Sequence, residues 1–356
     1  MRSLRVFAPV LAIVLAASAC SAIGGDDDGP GEGTASGHVS KRVVLVTHES
    51  FVLPEELQKK FEKDTGYQLE TRASGDAGAL TNKLVLTKDN PLGDVAFGVD
   101  NTFASRALDE GVFAPYAAKL PAGADQLLVA GDDDQALTPV DKASVCVNVD
   151  DTWFAEHDVA PPTGLDDLVK PAYRDLFVAP GAATSSPGMA FLLATIAKYG
   201  DDWPDYWTKL MDNGTKLDAG WSDAYEVDFT QGGGKGDRPI VLSYDSSPAF
   251  TVGDDGTSTT SALLDTCFRQ VEYAGVLKGA DNPDGARALV DFLLSPEVQA
   301  ALPDSMYVFP VDPSVQLPAD WASYAKQPTD PWQVDPADIA AHRDDWLREW
   351  SDLTSR

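Results

Sequence analysis

Residues 184–193, TSSPGMAFLL, place two hydroxyls, Ser185 and Ser186, and the small Gly188 at the mouth of an apolar run with helical spacing. The first N–H groups of a helix have no partner inside it. Serines there either cap the helix through their own oxygens or leave the N–H groups open to an anion or polar ligand. Local sequence favours capping. A second cluster, HES at 48–50, brings His48, Glu49 and Ser50 together after a β-branched run, and Asp100 with Asn101 follows the apolar DVAFGV. Neighbours on one loop point apart, so 48–50 does not supply a nucleophile, a base and an orienting acid. The sequence has no G-x-S-x-G, H-E-x-x-H or phosphate-loop pattern. Its four histidines are scattered without metal-ligand spacing. The expected chemistry is binding rather than catalysis, with no metal and no cofactor.

These groups need elements to position them. KRVVLVTHESF reads as a strand, and PEELQKKFEKDTGY as an amphipathic helix with Leu57 and Phe61 on one face and Gly66 as its stop. QLETRAS, GALTNKLVLTKDNP, DVAFGVDN and TFASRALDEGVFAPY repeat the alternation of strand and helix. That order predicts an open α/β sheet, in which ligands gather at the carboxyl ends of strands. His48, Asp100 and Asn101 stand at such ends. LFVAPG and PIVLSY read as further strands, DDWPDYWTKLMDNG as a helix burying Trp207 and Leu210, and NPDGARALVDFLLSPEVQAAL as one long helix. Trp346 and Trp350 read as packing residues.

Two long extended runs, LTPVDKASVCVNVDDTWF and TCFRQVEYAGVLKGA, lie between the α/β blocks. Two such crossing strands are what a two-lobed hinge protein needs. Antiparallel partners have residue numbers with a constant sum. If Asp141 sits opposite Glu272, Cys146 falls opposite Cys267, and a disulfide is expected in an oxidising compartment.

The compartment follows from the start of the chain. Arg2 and Arg5 precede an apolar stretch at 6–17, then small residues lead to Cys20. Residues 1–19 read as a secretory signal peptide. The placement of Cys20 resembles a bacterial lipoprotein signal, which implies lipidation. Residues 20–40 are rich in Gly, Asp and Ser and read as a flexible tether. The 356-residue chain carries a formal charge of −29 with 44% hydrophobic residues. Such acidity argues against nucleic acid and suits a cationic ligand, or is simply a solvated surface.

The order and spacing of THESF, DVAFGVDN, TSSPGMAFLL, GWSDAY, VLSYDSSPAF, DFLLSPEVQAALPDSMYVFPV and DIAAHRDDWLREW resemble the thiamine-binding proteins of ABC importers over nearly the whole mature chain. The resemblance implies the type II periplasmic-binding fold, α/β with mixed sheets flanked by helices and a hinge of crossing strands. Its expected parts are lobe 1 at 41–140, lobe 2 at 141–270, a return to lobe 1 at 271–312 and a C-terminal helical segment at 313–356. It also implies a monomer that hands thiamine, or a thiamine phosphate, to an ABC permease at the outer face of the cytoplasmic membrane or in the periplasm.

Position by position, Trp221 matches an aromatic lying against the ligand, and Tyr244 a site tyrosine. Phe250 stands where a related sequence has Tyr, Tyr307 where it has Trp, and His48 where it has Tyr. Asp100 and Asn101 are retained, and Ser185, Ser186 and Gly188 match the helix mouth, which the resemblance implies both caps the helix and binds the ligand. Read locally, Trp221 would be a core residue and Asp100 a turn or cap. The alternative ligands within the fold are a polyamine or ferric iron. Iron sites of this kind use two adjacent tyrosines, whereas SYDSS offers one.

Overall fold

The computed structural model describes residues 40–355. The signal peptide, Cys20 and nearly all of the tether lie outside the described residues. The strands are β1 Arg42–Thr47, β2 Gln68–Ala73, β3 Val95–Asp100, β4 Thr138–Asp150, β5 Phe177–Pro180, β6 Lys216–Asp218, β7 Ile240–Tyr244, β8 Thr260–Val276 and β9 Phe309–Pro310. The helices are α1 Glu55–Thr65, α2 Ala77–Leu86, α3 Ala104–Asp109, α4 Asp151–Glu156, α5 Leu165–Leu168, α6 Ser186–Tyr199, α7 Trp203–Asp212, α8 Pro283–Leu293, α9 Pro296–Met306, α10 Ala319–Tyr324 and α11 Pro336–Thr354.

The sheet order is β2-β1-β3-β8-β4-β7-β5-β6, with β9 alongside β4. β1 pairs in parallel with β2 and β3, and β5 with β6 and β7. β1, β3, β5 and β7 are the near-continuous apolar runs expected of strands covered on both faces, and β3 is buried along its whole length; the outer strands β2 and β6 are more polar and more exposed. Between the two parallel halves run β4 and β8, antiparallel to each other. The two long strands join the halves, β8 pairing with β3 on one side and β4 with β7 on the other.

The register bears on the disulfide. Asp141 pairs with Glu272, and the same register continues to Val145 opposite Phe268. It then shifts, and at the shift Cys146 and Cys267 are joined, with Cα atoms 4.2 Å apart. The expected pairing is present, and it sits at a bulge.

Two readings change. The run that begins at LTPV ends at Asp150, whose Oδ1 accepts from the N–H groups of Thr152 and Trp153, both at 3.0 Å, and so starts α4. The long helix expected from 282 onward is two helices. Ser295 caps α9 by accepting from Val298 N–H, and Pro296 takes the first helical position, where its missing N–H costs nothing.

α6 is buried almost all round its first ten residues. A Cβ on Gly188 would lie 2.5 Å from Pro180 O and 2.6 Å from the Gly181 carbonyl carbon, so the glycine lets the helix sit directly on the end of β5. Trp207 of α7 donates from Nε1 to Thr195 Oγ1 at 2.9 Å and meets Trp350 of α11 edge to face at 5.7 Å. Among the described residues no helix is long and apolar enough to cross a membrane.

Candidate functional site

A cavity of about 570 Å³ opens where the carboxyl ends of β1 and β7 face each other across β8. Its size lies within the ~300–1,000 Å³ of small-molecule sites. One wall is aromatic. Trp221 stacks on Tyr225 with ring centroids 4.9 Å apart and planes 13° off parallel. Tyr225 leads edge-on to Phe250 at 6.1 Å, and Phe250 edge-on to Tyr307 at 5.0 Å. Tyr244 closes the floor, 6.2 Å from Trp221. Hydroxyls brace this wall from behind: Trp221 Nε1–H donates to Ser243 Oγ at 2.9 Å, and Ser243 shares a 2.7 Å hydrogen bond with Ser247.

The opposite wall comes from the loops after β1 and β2. His48 is held over Gly98, where any Cβ would lie 2.3 Å from the imidazole Cδ2. Its Nε2 is 3.4 Å from Glu272 Oε1, an ion pair when the imidazole is protonated. Burial alone would lower the imidazole pKa; Glu272, followed by Asp76 and Glu49, outweighs it, and the net shift is upward. Behind Glu272 lies its strand partner Asp141, fully buried and held well above the ordinary carboxyl range by burial and then by Glu272. A neutral acid beside a carboxylate avoids setting two buried charges together.

Asp76 caps α2 and reaches across the cavity. Its Oδ1 accepts from Ala77 N–H at 2.5 Å and from Ser186 N–H at 3.4 Å, and its Oδ2 from Trp221 N–H at 2.8 Å. One carboxylate thus ties the first half of the fold to the mouth of α6 and to the aromatic wall. The approach is close: Ala79 N–H donates to Thr184 O at 2.9 Å, and a Cβ on Gly78 would lie 2.7 Å from the Thr184 carbonyl carbon.

Of the residues singled out in the sequence, His48, Ser186, Trp221, Tyr244, Phe250 and Tyr307 line the cavity. Asp100, Asn101, Ser185 and Gly188 lie off its wall. Asp100 is fully buried, and its Oδ1 accepts from Thr102 N–H at 3.1 Å and Thr102 Oγ1–H at 2.7 Å. Asn101 clips β8, donating to Arg269 O at 3.2 Å and accepting from Val271 N–H at 2.9 Å. Ser185 makes no side-chain cap, and its buried hydroxyl has no hydrogen-bond partner among the described residues. Ser186 Oγ instead accepts from Gln270 Nε2 at 2.9 Å. Hydroxyl capping, the local expectation for this helix, is absent because Asp76 reaches the helix mouth from α2.

Asp76, Tyr225 and Glu272 are cavity residues that the sequence reading passed over. Asp76 follows β2 as His48 follows β1, so the strand-end argument would have reached it. Tyr225 stands in the same GWSDAY motif as Trp221.

The profile of the bacterial extracellular solute-binding proteins matches residues 90–330. The thiamine-binding periplasmic protein of Escherichia coli strain K12 is 30% identical over 321 residues, covering 88% of this chain and 94% of that protein. Its counterpart in Brucella melitensis biotype 1 is 31% identical, covering 88% and 92%. A solved periplasmic thiamin binding protein superposes with a TM-score of 0.78 at 30% identity, over 90% of this chain and 98% of that one. With two α/β halves joined by crossing strands around a cavity, and with these matches, the chain belongs to the bacterial extracellular solute-binding proteins and has their two-lobed periplasmic-binding fold.

Proposed function

We propose that this protein captures thiamine in the cavity and delivers it to an ABC permease, without converting it. The observation that carries the reading is an aromatic wall, with Trp221 stacked on Tyr225 and Phe250 and Tyr307 following edge-on, facing the carboxylates of Glu49 and Asp76 across the cavity. Thiamine pairs a permanently cationic thiazolium with a flat aminopyrimidine. A cation over a Trp or Tyr face gains about 0.5–2 kcal/mol, and carboxylates accept from an amino group. Relatives of about 30% identity that carry thiamine in their names support the same ligand.

Capture works by closure. His48, Glu49 and Asp76 come from the first half, and Trp221, Tyr244 and Phe250 from the second. A ligand touching both selects the closed state, with β4 and β8 as the hinge and lobes divided near 41–140, 141–270 and 271–312. Lipidation at Cys20 would hold the monomer at the outer face of the cytoplasmic membrane. The carboxylates also suit a polyamine, which lacks a ring to stack. For ferric iron, no group of three His, Cys, Asp or Glu side chains converges among the described residues. Calorimetric titration of the ligand-free protein with thiamine, spermidine and ferric citrate tests the reading. One-to-one binding of thiamine alone is expected, and binding only to spermidine or iron would overturn it.

A further inference from the structure

We propose that thiamine capture expels a proton from His48, so that the cavity exchanges one cation for another and binds its ligand more tightly as the pH rises; this rests on the thiamine reading above. Among the described residues, His48 is the one basic side chain on the cavity wall, and no lysine or arginine lines it. The imidazole is buried, tilted against Phe97 at 5.6 Å and held over Gly98.

The titratable groups around it are acidic on every side. Glu49 follows on its own loop. Asp76 stands on the neighbouring loop, which Glu49 N–H joins by donating to Gly75 O at 2.9 Å. Glu272 of β8 lies 3.4 Å from Nε2, and its strand partners are Asp141 on β4 and Asp100 on β3. Tyr244 of β7 keeps its hydroxyl proton, held well above the usual range by burial and then by Glu272. Burial opposes a proton on His48, but Glu272, Asp76 and Glu49 outweigh it, so the ring stays protonated above the ordinary imidazole range.

A permanent cation seated in this cavity supplies positive charge to the same carboxylates. It also repels an imidazolium in the same low-dielectric space. The imidazolium N–H bond breaks, the electron pair stays on the ring nitrogen, and the proton leaves to solvent. The neutral ring keeps one N–H and gains an acceptor. His48 thus holds its proton more weakly in the complex than in the free protein. Capture releases a proton in the pH interval between the two pKa values, and affinity rises with pH across that interval. Below it the ring is protonated in both states and above it in neither, so the slope vanishes at both ends. Asp100, raised by burial and then by Glu272 to about 7, titrates in the same range and has to be separated from His48.

The test is calorimetric titration of the ligand-free protein with thiamine near pH 7 in PIPES and in ACES, two buffers of different ionisation enthalpy. Release of up to one proton per thiamine is expected, with affinity rising by up to about tenfold per pH unit. His48→Gln should abolish both the buffer dependence and the slope, whereas Asp100→Asn should keep them; circular dichroism checks that each variant folds. Glu272→Gln, which removes the carboxylate nearest the ring, should shrink the release and serves as the second variant. Imidazole NMR of the wild type should show one of the four histidines titrating above the ordinary 6.5 without thiamine and lower with it. Thiamine binding with no proton release, or with release retained in His48→Gln, would overturn the exchange and leave the thiamine reading intact. No binding of thiamine in either buffer would overturn the thiamine reading, and the exchange with it.

Discussion

Replacing Asp100 by Asn separates a ligand carboxylate from a buried structural one. The side chain is fully buried, with Oδ1 bonded twice to Thr102 and Oδ2 without a partner among the described residues. Burial, with Glu272 as a smaller push and the Thr102 bonds opposing, raises its carboxyl from 3.8 to about 7. The folded state therefore holds a proton that the unfolded chain releases. The stability that this proton represents is fully present below about pH 4 and is lost as the pH rises to about 7. The gap corresponds to on the order of 4 kcal/mol. Asn keeps the Oδ1 acceptor and cannot ionise. Asp100→Asn should thus stabilise the protein by up to on the order of 4 kcal/mol at pH 8 and change it little at pH 4. Urea unfolding of both proteins at the two pH values reads this directly. Because Asp100 lies off the cavity wall, thiamine affinity should stay within about twofold, a small fraction of the loss expected for a charge-assisted contact. An unchanged pH dependence would refute the buried-carboxylate argument. A tenfold loss of affinity would place Asp100 on the ligand.

Trp221→Ala should weaken thiamine binding by about tenfold or more through the lost cation–aromatic contact, with calorimetry as the readout; unchanged affinity would remove Trp221 from the site. Cys146→Ala with Cys267→Ala releases a crosslink between residues 121 apart in sequence and should cost on the order of 4 kcal/mol in urea unfolding under oxidising conditions. The wild type treated with a reductant should lose the same amount. Gly98 has φ +101 and no room for a Cβ under His48. Gly98→Ala should therefore cost about 1–3 kcal/mol, measured by thermal unfolding, and should also weaken thiamine binding by moving His48.

The α/β organisation was legible because apolar runs such as VVLVT and VAFGV are long enough to be buried strands, and because Leu57, Phe61 and Gly66 mark one helix face and its end. The hinge was legible through a pairing rule: Asp141 opposite Glu272 is a register, and the register carried the cysteines with it. Local breaks were harder to see. Ser295 and Pro296 split an apolar helical pattern that continues with the right spacing on both sides. The least legible residue was Asp76. Its neighbours in sequence mark only a helix start, while its partners Ser186 and Trp221 lie 110 and 145 residues away. The same distance effect misdirected the reading of Ser185, because the group that serves the α6 mouth comes from another element.

The most direct test of thiamine capture is a crystal structure of the protein grown with saturating thiamine in phosphate-free buffer. The expected result is one thiamine in the cavity, a ring against Trp221 and a hydrogen bond from the ligand to Asp76 or Glu49. An empty cavity, or thiamine bound only elsewhere on the surface, would contradict it.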